Sequence, residues 1–217
     1  MNAVLKVLEF PRRLSGSVAT AQGHPSARGK QDAPVWRLGE VKGRLVELSG
    51  EAASANVTAA VAMLADAQQR GETAAWVTPQ DGVFFPPDLT THGIDLGALA
   101  VVFGRDAASR VRSVEKLARS GAFGLIVVDC RGADEVPLNA LTLLASLALR
   151  HDAAIIFLTE KKPERPSLGS SVSLRIETRK QRERLGRARL EFHALRDKQR
   201  GPGWTLGSTY DGPPGVR

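Results

Sequence analysis

Between residues 44 and 160 the chain alternates two patterns. Short apolar runs occur at 44–50 (RLVELSG), 74–77 (AAWV), 98–104 (ALAVVFG), 124–129 (GLIVVD) and 153–160 (AAIIFLTE). Runs of this length, apolar at nearly every position, predict parallel strands covered on both faces. Stretches of helical period lie between them. Residues 57–70 gather Val57, Val61 and Leu64 on one face and stop at Gly71. Residues 107–119 gather Val111, Val114 and Ala118 and stop at Gly121. Residues 138–150 (LNALTLLASLALR) are apolar nearly all round, which predicts a buried helix. Beyond residue 160 the rhythm becomes strict alternation, in SVSLRIETR (171–179) and ARLEFHALRD (188–197). Those two segments predict antiparallel edge strands. Strand–helix repetition followed by terminal strands predicts an α/β fold, a mostly parallel sheet with helices on both faces.

The flanks read differently. Residues 11–34 are rich in Pro, Gly, Ser and Ala and have no period, so they predict a linker. Ahead of them, Val4, Leu5, Val7, Leu8 and Phe10 fit a short helix or strand docked on its own body or on another chain. The expected organisation is a flexible arm at 1–34, one core domain at 35–200 and a flexible tail at 201–217. Trp204 is the expected anchor of that tail, with disorder or a partner-bound strand beyond Tyr210. The apolar loop Val83-Phe84-Phe85-Pro86-Pro87 is expected to fold onto the body.

Composition narrows the function classes. The chain has 217 residues, room for one domain with a real core. Aromatics make up only 5%, so Ala, Val, Leu and Ile must fill the interior. The single cysteine, Cys130, excludes a disulfide framework, a CxxC redox pair and a cysteine zinc finger. With no long apolar run and no signal-peptide pattern at its start, the chain is expected to be cytoplasmic and not membrane-bound. The formal net charge of +7 is unevenly placed: +4 over residues 1–30, −5 over 31–160 and +8 over 161–217. A mildly acidic body with a basic C-terminal quarter points to an anionic partner, nucleic acid first.

A strand, a Gly-containing loop and a helix form the setting of a phosphate-binding loop, G-x-x-x-x-G-K-[ST]. Here the segment is Gly50-Glu51-Ala52-Ala53-Ser54-Ala55-Asn56-Val57-Thr58. The first glycine and the length are right. The second glycine is Ala55, the lysine is Asn56 and the metal-binding hydroxyl is Val57. A methyl at 55 crowds amides that must approach phosphate closely. Asn56 cannot offset the β- and γ-phosphate charge, and Val57 cannot ligate Mg²⁺. Thr58 carries a hydroxyl, but sits about 100° further round the helix.

GRLVELSG (43–50) and LARSGAFGLIVVD (117–129) resemble the core of the RecA recombinase, and the similarity spans roughly residues 37–198. The resemblance implies a RecA-like, P-loop NTPase-type sheet. It implies that Asp129 matches the strand-terminal Asp that helps hold Mg²⁺ through water. Gln80 would stand where RecA has the Glu that activates the attacking water. Arg196-Asp197-Lys198 would match a Lys-x-Lys pair that reaches a neighbouring protomer's nucleotide. The two loops that hold single-stranded DNA in recombinases are cut here to roughly 130–137 and 161–170. This pattern of loss is similar to the ImuA family of bacterial mutagenesis cassettes. That similarity implies a non-catalytic accessory role in damage-induced mutagenesis, without metal or cofactor. The implied partners are an ImuB-type Y-family polymerase relative, RecA recombinase and an error-prone replicative-type polymerase, at the nucleoid. Head-to-tail packing of RecA protomers adds self-association as an expectation. A divergent ATP-binding repair protein using Ser54, Thr58, Gln80 and Asp129, and a SulA-like inhibitor of cell division, are the alternatives.

The basic set Lys161, Lys162, Arg165, Arg179, Lys180, Arg182, Arg184, Arg187, Arg189, Arg196 and Lys198 is the main electrostatic feature. It suits DNA phosphates, bound weakly and without sequence preference, or an acidic partner surface; a solvated hairpin is the plainer reading. Only Phe192 lies among these residues, which argues against a base-stacking platform. Cys130 is expected to be a small buried hydrophobe, and Asp129 a structural residue at the end of its strand. His24, His92, His151 and His193 lack metal-ligand spacing.

Overall fold

The computed structural model describes residues 35–51, 54–80, 89–90, 92–130, 136–184 and 187–211, with side chains other than those of 182–184, 187–188 and 208–211. The arm at 1–34, the Val83–Pro87 loop and most of the loop after Asp129 lie outside the described residues.

Eight strands form one sheet in the order β3-β2-β4-β5-β1-β6-β7-β8. They are β1 (Leu45–Gly50), β2 (Ala74–Pro79), β3 (Leu99–Gly104), β4 (Leu125–Asp129), β5 (Ala154–Glu160), β6 (Leu174–Arg184), β7 (Arg187–Asp197) and β8 (Thr205–Asp211). β1 to β5 run parallel, and β6 pairs parallel with β1 over Val46–Ser49. β7 then returns antiparallel to β6, and β8 antiparallel to β7.

Among the described residues three α-helices cover the two faces: α1 (Asn56–Gln69), α2 (Ala107–Ser120) and α3 (Leu138–His151). Successive strand residues feed opposite cores, because side chains alternate across a strand. Val46, Leu48, Trp76, Val127 and Ile156 pack with Ala59, Met63 and Leu64 of α1. Leu45, Val77, Ile126, Val128 and Phe157 pack with Val114 of α2 and Leu141 and Leu144 of α3. Both faces being covered explains why the strands read as continuous apolar runs. Gly121 ends α2 with φ 65°, the left-handed conformation that favours glycine.

Two expectations are corrected. Residues 201–217 were expected to be a flexible tail, yet Thr205–Asp211 forms β8, in register with β7 from His193↔Thr205 to Arg187↔Asp211. Gly203 (φ 96°) turns the chain back, and Trp204 anchors it as expected: its Nε1 donates to Asp197 Oδ2 at 3.0 Å. The second correction concerns α3. It is buried only on its inner side; Leu138 and Leu149 are 67% and 75% exposed. The helix is an outer layer, and nothing among the described residues lies over it.

Candidate functional site

The loop after β1 stands where a phosphate-binding loop would. Ser54 N–H donates to the Glu51 carbonyl at 2.8 Å, closing a tight turn over Gly50. A Cβ on Gly50 would run into Ser54 Cβ and come within 3.0 Å of the Thr178 carbonyl. Glycine is required there by close packing within the protein. Ala55 is buried at the entrance to α1 and caps it with no side-chain hydrogen bond.

Asn56 occupies the lysine position and is 1% exposed. Its Nδ2 donates to the Thr159 carbonyl of β5 at 3.0 Å, and its Oδ1 accepts from Thr178 Oγ1 of β6 at 2.7 Å. Both ends of the carboxamide are thus spent inside the protein. Val57 is half-buried against the core on the α1 face, and Thr58 is half-buried on the same turn. Gln80 is exposed just past β2, and Asp129 is buried at the end of the neighbouring β4. The fold therefore brings Gly50 and Asn56 together against Thr178 of β6, with Ala55 buried beside them. It places Gln80 and Asp129 at the same end of the sheet, with Thr78 on the strand beside Asp129, its buried Oγ1 without a hydrogen-bond partner among the described residues.

The residues after β5 form a second closed feature, built around a carboxylate that the sequence reading did not single out. Glu47, in the middle of β1, is fully buried. Its Oε1 accepts from Thr159 Oγ1 at 3.0 Å and pairs with Lys161 Nζ at 2.5 Å. Its Oε2 accepts from Ser167 Oγ at 2.7 Å and Leu168 N–H at 3.0 Å. Beside it, buried Arg175 donates to Ser49 Oγ and to the carbonyls of Arg165 (2.5 Å) and Lys162 (3.1 Å). Burial pulls the Arg175 guanidinium below its ordinary value, and Glu47 opposes that pull. A lone Glu inside an apolar strand run, and an Arg in the middle of the alternating 171–179 pattern, were the available sequence signals.

Several predicted binding cations bond backbone carbonyls of residues 166–170. Lys161 Nζ reaches the Pro166 carbonyl at 2.8 Å as well as Glu47. Arg196 Nη1 donates to the Gly169 carbonyl at 3.0 Å, and Lys198 Nζ to the Ser170 carbonyl at 2.5 Å. Other members pair along the surface: Arg179 with Glu177 at 3.0 Å, Arg189 with Glu191 at 3.5 Å, and Lys162 with Glu51 at 3.7 Å. Hydrogen bonding to Glu177 holds the Arg179 guanidinium above its ordinary value. Arg165 and Lys180 are exposed. Arg182, Arg184 and Arg187 lie on the β6–β7 ribbon, their side chains outside the description. Six of the eleven predicted cations are thus loop staples or surface pairs.

Between Arg196 and Lys198, Asp197 is buried against Arg44 (Oδ1–Nη2 2.6 Å) and accepts from Gln199 N–H at 2.9 Å and from Trp204. Burial pushes its carboxyl up, but those hydrogen bonds and the Arg44 charge outweigh it, so the net shift is downward. Burial pushes the Cys130 thiol up to about 12. Among the described residues no cluster of His, Cys, Asp and Glu could hold a metal, and no helix is long and apolar enough to cross a membrane.

Comparison with known proteins matches residues 27–142, a little over half of the chain, to the family described as RecA N-terminal domain. The chain is 35% identical to Protein RecA of Chlorobaculum tepidum over 88 residues, covering 41% of this chain and 25% of that protein. It is 34% identical to Protein RecA of Clostridium acetobutylicum over 91 residues, 42% of this chain and 26% of that one. Against Protein RecA of Lactobacillus delbrueckii subsp. bulgaricus the identity is 30% over 123 residues, 57% of this chain and 36% of the relative. The matched stretch spans only a quarter to about a third of the length of these relatives.

Proposed function

This chain belongs to the RecA family, and we propose that within it the protein is a non-catalytic subunit that works by protein contacts in the repair and error-prone copying of damaged DNA. The observation that carries the reading is the fate of Asn56. A working loop needs a lysine there, free to meet phosphate. Here the position holds a buried carboxamide whose nitrogen and oxygen are both engaged, by β5 and β6. Ser54, just ahead of it, packs directly on Gly50. A protomer of this kind keeps the RecA-type scaffold and its docking faces while its turnover machinery is dismantled.

The pattern of loss, similar to the ImuA family, supports an ImuB-type Y-family polymerase relative and RecA recombinase as partners. The closed second loop supports contacts made through protein rather than a DNA-gripping loop, since its carbonyls and cations are paired with each other. The test is to mix the purified chain with the recombinase and the Y-family relative of the same organism and follow association by light scattering, with and without ATP. The reading expects a complex with at least one of them that persists when Asp129→Ala is introduced. Association with neither contradicts it. So does ATP turnover by this chain that disappears in Asp129→Ala, which is the mark of a divergent ATPase.

A further inference from the structure

The outer side of α3 carries two uncovered leucines. Leu138 and Leu149 are 67% and 75% exposed, far more than their helix-mates Leu144 and Leu147. Eleven residues apart, they fall on one line of the helix, about 16 Å from end to end. The line between them is filled by Thr142 and Ala145, both small. The result is a saddle: a low centre with a leucine at each end, roughly the width needed to seat a crossing helix of about 10 Å diameter.

The Leu138 end abuts the stapled loop. A Cβ on Gly169 would lie 2.9 Å from Leu138 Cδ2, and Thr142 Oγ1 is 3.3 Å from Ser171 Oγ. Arg196 and Lys198 reach this corner and bond the neutral carbonyls of Gly169 and Ser170, and neither pairs with a carboxylate among the described residues. Glu47 and Arg175 fix the loop from beneath. The corner is therefore rigid before anything binds, which lowers the cost of ordering on association.

Resting on the protein-contact reading above, we propose that this saddle is a docking site for an amphipathic helix of a partner protein, apolar on one side and acidic along the edge that meets Arg196 and Lys198. Charge selects this occupant. The chain's own residues 1–30 carry a net charge of +4, which disfavours seating that arm beside two cations. A second copy, α3 against α3 across a two-fold, would turn exposed Arg150 toward Arg196 and Lys198. A phosphate backbone has no use for the two leucines.

The full-length chain can be titrated with three synthetic helical peptides, read by amide NMR shifts and fluorescence anisotropy. The first alternates Leu/Ala on one face with Glu on the other; the second replaces each Glu by Lys; the third replaces each Leu by Ser. The first peptide is expected to bind and to shift residues of α3 and 168–171. Leu138→Glu, and separately Ala145→Trp, which fills the saddle, are expected to weaken it at least about tenfold. Arg196→Glu/Lys198→Glu should weaken it too, and the other two peptides should bind far less. Equal binding of the basic peptide, shifts located elsewhere, or no effect of both α3 variants overturns the proposal. So does a dimer dispersed by Ala145→Trp, or a thymidine oligonucleotide shifting the same residues. None of these outcomes touches the non-catalytic reading, which stands or falls on nucleotide and on partner association.

Discussion

A carboxamide offers donors and an acceptor in one plane, and Asn56 uses both ends to pin the first turn of α1 to β5 and β6. Asn56→Ala would remove both bonds and strand the buried Thr178 hydroxyl, a loss of about 2–4 kcal/mol in urea unfolding. Asn56→Lys would restore the motif's charge without restoring the site, because the position is 1% exposed and its surroundings offer a carbonyl and a hydroxyl rather than a phosphate. It is expected to destabilise more than alanine and to gain no ATP affinity. Cys130 belongs to the same scale. Its thiol, raised to about 12 by burial, stays protonated at pH 8, so it should resist a thiol reagent in the folded protein and react fully in denaturant. Fast labelling of the native chain would contradict that. The absence of the motif lysine could be read from the sequence. What Asn56 does instead could not, since its partners lie 103 and 122 residues away.

At the scale of elements, the parallel strands and the helices between them were legible, because burial on both faces leaves a nearly unbroken apolar signature. Gly121 marks the end of α2 in the sequence and does so in the structure, with φ 65° and His151 Nδ1 2.7 Å from where a Cβ would stand. Gly121→Ala should therefore cost about 1 kcal/mol for the left-handed backbone, plus whatever His151 must yield, measured by thermal unfolding. β8 was hidden. TLGSTYD has one strongly apolar aliphatic residue and sits among glycines and prolines, so its alternation is faint. Pairing with β7 decides its state, and that is a long-range fact. The all-round apolar composition of α3 likewise could not tell an inner helix from an outer layer; the exposed leucines record that difference.

In the molecule as a whole, two buried ion clusters tie the terminal strands to the parallel sheet. Glu47 serves Lys161, Ser167, Leu168 and Thr159 at once, so Glu47→Ala should cost about 3–5 kcal/mol and raise hydrogen exchange across residues 161–170, while Glu47→Gln should preserve part of that protection. Asp197 links Arg44, Gln199 and Trp204. Its carboxyl titrates lower in the folded state than in the unfolded one, so its contribution is complete above the unfolded value of about 3.9 and fades as pH falls through the folded value. Asp197→Asn should flatten the acid limb of the stability profile and leave its neutral-to-alkaline shape unchanged. Charge counting along the sequence located the basic quarter but not its direction. Lys161, Arg196 and Lys198 bind carbonyls of the 161–170 loop, a use of positive charge that composition does not distinguish from a surface for DNA.

The most direct measurement is isothermal titration of the full chain with ATP and Mg²⁺. A site closed by Asn56 and by the turn over Gly50 predicts no heat of binding into the millimolar range, and the same flat trace for Asn56→Lys. Saturable micromolar binding, abolished by Asp129→Ala, would mean that the loop opens to hold triphosphate and that the account of this protein as a non-catalytic RecA relative is wrong.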